Sequence, residues 1–164
     1  MTKVRSKIRV AMIAALALSA PIVAQGRLAE DLSRYQHESD PVRKARELAK
    51  LADEQVDVAR KQLKAGDDVA ALHSLEQYRD EVEETVSALK KTGINPERKP
   101  AGFKELQISL RQAVRQIDDL ILTLDVDKRP FFRPVRNDLF MEQNSLFDVL
   151  FPRRSDQNSE PSSP

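Results

Sequence analysis

The side chains able to do chemistry in this chain are two histidines, some adjacent carboxylate pairs and one cluster of arginines and phenylalanines. His37 and His73 stand 36 positions apart, whereas a helical zinc-protease site needs two histidines four apart. A di-iron bundle needs a glutamate three residues before each histidine; those positions hold Arg34 and Ala70. The pairs Asp53-Glu54, Glu83-Glu84 and Asp118-Asp119 fall in helix-forming sequence, where neighbours diverge by about 100° and cannot chelate as a pair. Asp125-Val126-Asp127 lacks the continuation and the glycine of a calcium loop. The absence of cysteine excludes disulfides, thiol catalysis and thiolate metal sites. With 4 glycines in 164 residues there is no glycine-rich phosphate loop, and no Gly-x-Ser-x-Gly elbow occurs. The expectation is a non-enzyme, with no catalytic, cofactor-binding or metal-ligating residues.

The cluster is Lys128, Arg129, Phe131, Phe132, Arg133 and Arg136, and five of the six phenylalanines lie between 131 and 151. Interleaved arginine and phenylalanine can dock on a protein partner or on an anionic membrane surface. The same pattern suits a plug, in which Phe131 or Phe132 closes one end of a helical core and the arginines ring it. Arg129, Phe131, Phe132, Arg133 and Arg136 are the candidate docking residues.

These side chains must be carried by helices. Ala, Leu, Glu, Lys, Arg and Gln dominate and no stretch alternates with period two. Leu28, Ala29, Leu32 and Tyr35 predict a short helix within residues 25–39. Asp40-Pro41 is a helix opening, a capping carboxylate followed by proline in the first turn. Val42, Ala45, Ala49, Ala52, Val56, Ala59 and Leu63 then form an alanine-rich stripe up to Lys64, and Gly66 supplies a left-handed stop. Asp67 caps the next helix, with a stripe of Ala71, Leu75, Tyr78, Val82, Val86 and Leu89, widened by Leu72 and closed by Gly93. The short link around Gly66 makes these two a hairpin. Pro100 is expected to start a third long helix through Phe103, Leu106, Leu110, Val114, Ile117, Leu120, Ile121 and Leu124, ending near Asp125. Pro130 and Pro134 predict an irregular approach to a last helix from about Phe132 to Leu150. In that helix Val135, Leu139, Leu146 and Leu150 share one face, and Phe140, Phe147 and Phe151 lie on the adjacent one. Asp57 and Lys61 are spaced for an i,i+4 ion pair.

The fold expected is therefore all-α: an antiparallel up-down bundle of three long helices plus a C-terminal one, over residues 40–152. The segment 153–164 is Ser, Pro and polar, and is expected to be a disordered tail.

Ahead of the helices stands an export signal. Lys3, Arg5, Lys7 and Arg9 precede the apolar stretch Val10 to Ala20, and small residues lead to a cleavage point after Ala24. The uncharged run Val10 to Gly26 is 17 residues, the lower edge of spanning length, so an uncut anchor is the alternative. Removing the four basic residues of residues 1–24 from the total of 27 leaves 23 against 26 acidic ones, a formal charge of −3. A mildly acidic mature chain argues against nucleic acid as a partner.

The segment Ala59-Arg60-Lys61-Gln62-Leu63-Lys64-Ala65-Gly66-Asp67-Asp68-Val69-Ala70-Ala71-Leu72, running on to Leu75 and Tyr78, resembles the helical hairpins of FIMAH-type domains and, more loosely, of tetratricopeptide-like modules. The longer body, with Pro100-Ala101-Gly102-Phe103-Lys104-Glu105-Leu106 and Asp127-Lys128-Arg129-Pro130, is similar to uncharacterised exported helical proteins of soil bacteria. That resemblance implies an exported helical protein and supplies no catalytic residues. The function expected is a periplasmic or secreted helical module that works through protein–protein contacts, with an envelope protein or a second copy as partner. The alternative is membrane association through the uncut signal or the Arg/Phe cluster.

Overall fold

The computed structural model describes residues 22–152 and is all-helical over them: α1 (Ile22–His37), α2 (Pro41–Lys64), α3 (Asp68–Lys91), α4 (Phe103–Thr123) and α5 (Arg129–Leu150). The export signal lies almost wholly outside the described residues, as does the expected tail at 153–164. The first helix begins at Ile22, three residues earlier than expected, and runs across the cleavage point placed after Ala24.

Local chemistry explains each boundary. The Asp40 carboxylate accepts from the Arg43 amide at 2.8 Å, and Pro41 occupies the first turn of α2. At the far end of α2, Gly66 has φ +80. The Gly66 amide donates to the Leu63 carbonyl at 2.9 Å and the Asp67 amide to the Gln62 carbonyl at 2.9 Å, a Schellman closure that satisfies the last carbonyls. Asp67 caps α3 through the Ala70 amide at 3.0 Å. The link between α2 and α3 is thus only three residues long.

Two expected helix starts are corrected. The third long helix begins at Phe103, not at Pro100, because Gly102 turns with φ +82 and its amide donates to the Glu105 carboxylate at 2.8 Å. The last helix begins at Arg129 rather than near Phe132, and no irregular approach separates it from Pro134. Pro130 sits in the first turn, where an amide is not needed. Pro134 lies in the second turn on the exposed side, and the helical bond it removes would run to the carbonyl of Pro130, also an exposed residue.

Polar pairs fix how the helices run. Ser74 donates to Gln62 and Lys44 pairs with Glu84 at 2.8 Å, so α2 and α3 are antiparallel. The five-residue link from Leu124 to Lys128 likewise folds α5 back on α4. Between these hairpins the neighbours are parallel. Arg46 meets Glu105 at 3.4 Å and Asp53 meets Gln112 at 3.0 Å along α2 and α4. Arg79 meets Asp138 at 3.6 Å along α3 and α5, with Lys90 bonded to Ser145 farther along. Consecutive α3 and α4 barely touch, and the eleven residues Thr92 to Gly102 cross the end of the molecule between them. One end, here the crossover pole, holds this connection, the start of α2 and the end of α5. The opposite hairpin pole holds the links 65–67 and 124–128.

The core follows from this arrangement. On α3 and α4 the expected stripes are buried, joined by Thr85, Gln107 and Ala113, except that Leu72 is only half-buried. On α2 the buried set is Ala45, Leu48, Leu51, Ala52, Gln55, Val56 and Ala59, while Val42, Ala49 and Leu63 are only half-buried. The buried surface is wider than one stripe because α2 touches α1, α3 and α4. Asp57 pairs with Arg60, one residue closer than the expected Lys61.

Candidate docking surface at the α4–α5 corner

The Arg/Phe cluster falls at the hairpin pole, on the first two turns of α5 and the link before them. Its members have separate tasks. Phe132 is 2% exposed and packs in the core, whereas Phe131, its neighbour, is 66% exposed. The helix start makes this division: successive side chains diverge by about 100°, so one ring turns in and the next turns out.

The arginines divide similarly. Arg129 donates from Nε to the Leu124 carbonyl at 3.0 Å and from Nη2 to the Leu122 carbonyl at 3.1 Å. It satisfies the carbonyls that the end of α4 leaves open. Arg136 donates from Nε and Nη2 to the two oxygens of Asp118, both at 2.8 Å, and lies over the Phe140 ring at 4.9 Å from its centre. The Asp118 hydrogen bonds push its guanidinium pKa further up. Lys128 is tied to Asp68 at 2.6 Å, which raises its pKa in the same way. Arg133 is exposed and forms no ion pair among the described residues.

Of the five candidate residues, Phe131 and Arg133 therefore face outward, Arg129 and Arg136 clamp α4 to α5, and Phe132 is core. Beside Arg133 lies a cleft of about 350 Å³ lined by Asp118, Ile121, Leu122, Arg133, Arg136 and Asn137. Leu122 is 67% exposed there, and Val126 in the adjacent link is 75% exposed. Sequence reasoning missed both. The available signal was Leu122 itself, a large apolar residue one position past the buried face of α4.

Elsewhere several titratable groups are engaged locally. His37 and His73 are both exposed, on different helices, with His37 Nδ1 2.8 Å from the Ser33 carbonyl oxygen. Among the described residues no three His, Asp or Glu side chains gather as a metal site. Asp53 accepts from the amides of Gln112 and Gln116 at 3.0 and 3.1 Å. A wider groove of about 730 Å³ runs between α2 and α4. Its charges are matched in place: Arg43 with Glu38 at 3.4 Å, Arg46 with Glu105, and Lys50 with Glu47 at 2.6 Å. On α3, the buried Tyr78 hydroxyl has no hydrogen-bond partner among the described residues. Burial, then the charges of Asp53 and Glu81, push its phenol pKa far up, which makes it a poor proton donor.

Comparison of the chain with protein-family models, with curated proteins and with solved structures found no match.

Proposed function

We propose that this chain is an exported, non-enzymatic helical module that acts through protein–protein contact, and that the α4–α5 corner is the contact surface. The four long helices act as one bundle that holds the corner rigid. The observation carrying this reading is that exposed Leu122 and Arg133 line one cleft, with Val126 and Phe131 also exposed in the adjoining link and first turn of α5. Large apolar side chains clustered in water mark interaction sites more often than single ones do, and Phe and Arg are among the residues that anchor interfaces. Such a cleft suits a partner side chain with an apolar body and a carboxylate for Arg133. Export is supported by the basic start and apolar run of residues 3–24, and by the hairpin's resemblance to modules of exported proteins.

Site-specific photo-crosslinking in intact cells tests the contact. A crosslinker at Phe131 should give a discrete adduct that is lost on Arg133→Glu, while one at Asp80, on the exposed charged side of α3, should give none. Identical adducts from both positions, or none from Phe131, would refute it. N-terminal sequencing of the exported protein should find a start near Gln25; retention of Met1 in the cytoplasm would overturn the export reading.

A further inference from the structure

The crossover pole, at the other end of the molecule, has a different composition. Lys90 and Lys91 end α3, Arg98 and Lys99 lie in the crossover, and Lys104 opens α4. All five are exposed, and none forms an ion pair among the described residues, although most arginines and several lysines elsewhere do. Among the described residues, Glu97 and Asp148 are acidic residues near this end without an ion pair, and Glu38 and Asp40 share Arg43. The pole thus carries an excess of positive charge on a chain whose part after residue 24 is formally negative.

Two phenylalanines stand at the same end. α4 and α5 are antiparallel with Arg136 opposite Asp118, and this register brings Phe151 level with Phe103 and Lys104. Phe147 and Phe151 are 47% and 60% exposed, with ring centres 5.0 Å apart. Both lie at the last turn and C-cap of α5. Unpaired cations beside exposed aromatic rings match an anionic membrane interface, where the rings enter and the cations meet phosphates.

We propose that the crossover pole docks on anionic lipid headgroups, with Phe147 and Phe151 entering the interface and Lys90, Lys91, Arg98, Lys99 and Lys104 over the phosphates. This orientation points the α4–α5 corner away from the bilayer. It requires neither a retained leader nor the protein contact proposed above.

The chain contains no tryptophan, so a single introduced one reports its own surroundings. In the full chain, Phe151→Trp should blue-shift in emission on vesicles of equimolar phosphatidylglycerol and phosphatidylcholine, and not on phosphatidylcholine alone. Phe131→Trp, at the opposite pole, should not shift on either. Adding Arg98→Glu and Lys99→Glu to Phe151→Trp should lower partitioning on anionic vesicles by on the order of tenfold or more, with the circular dichroism spectrum unchanged. Equal shifts at both positions, or shifts on neutral lipid, would assign binding to the leader and overturn the proposal. Binding to polyglutamate without any vesicle-induced shift would also overturn it, in favour of an acidic protein partner.

Discussion

The Tyr35 hydroxyl on α1 meets the Thr85 hydroxyl on α3 at 3.0 Å in the interior, and it also lies 3.2 Å from the Glu81 carbonyl oxygen. Tyr35 is 3% exposed, and Lys44 lies 4.9 Å from the centre of its ring. Burial, with smaller contributions from Glu81 and Glu84, pushes its phenol up to about 12 against the Thr85 hydrogen bond. Among the described side chains of α1, Tyr35 is the buried one, with Leu32 packed beside the core. Tyr35→Phe should cost about 1 kcal/mol, since Thr85 keeps its own bond to Glu81 at 2.7 Å. Tyr35→Ala should cost about 3–5 kcal/mol and should deprotect the α1 amides in hydrogen exchange while leaving those of α4 protected.

The two adjacent phenylalanines of α5 should separate cleanly in urea unfolding. Phe132→Ala removes a ring from the packed core and should destabilise by about 3–5 kcal/mol. Phe131→Ala should stay within about 0.5 kcal/mol of the parent. Similar losses at both positions would mean that Phe131 is packed.

Gly102 is a sharper constraint than Gly66, although both have φ near +80. A Cβ at Gly66 meets nothing within 4 Å, whereas one at Gly102 would lie 3.0 Å from the Val42 carbonyl oxygen and 3.2 Å from Val42 Cα. Gly66→Ala should therefore show only the left-handed backbone cost, about 1–2 kcal/mol. Gly102→Ala should exceed it, because the backbone of α2 must move. Thermal melts of the two variants side by side read the difference directly.

Glu81 is half-buried, and burial is the main cause raising its pKa; Glu84 adds to the rise, while Gln77 and Lys44 oppose it. A carboxyl raised in the folded state binds its proton more tightly there than in the unfolded chain. Its contribution to stability is therefore most favourable in acid and falls as pH rises from the ordinary carboxylate range through the raised value. Glu81→Gln should stabilise the protein at pH 7 and have little effect in acid, below the ordinary carboxylate range. An equal gain in both conditions would show that charge burial is not the cause.

The helical class and the positions of the core on α3 and α4 were legible from residue spacing, because each of those helices buries one continuous stripe. Capping at Asp40 and Asp67 and the left-handed turn at Gly66 were legible too, since they depend on a few adjacent residues. Leu48, Leu51 and Gln55 were missed because a stripe gives the face toward one neighbour, and α2 has three. The start of α5 was misread because proline chemistry alone does not say that Pro134 would face water.

The amino-acid sequence alone determined that the chain is helical and that the link at Gly66 is a hairpin turn, since caps, turns and periodicity act over a few residues. Only the tertiary structure decided that the two hairpins lie side by side with α2 parallel to α4 and α3 parallel to α5. It also decided which ring of the pair Phe131-Phe132 is buried and which cations gather at one pole. Those outcomes depend on contacts between residues far apart in the chain, and the eleven-residue link from α3 to α4 is long enough to allow more than one path across the end.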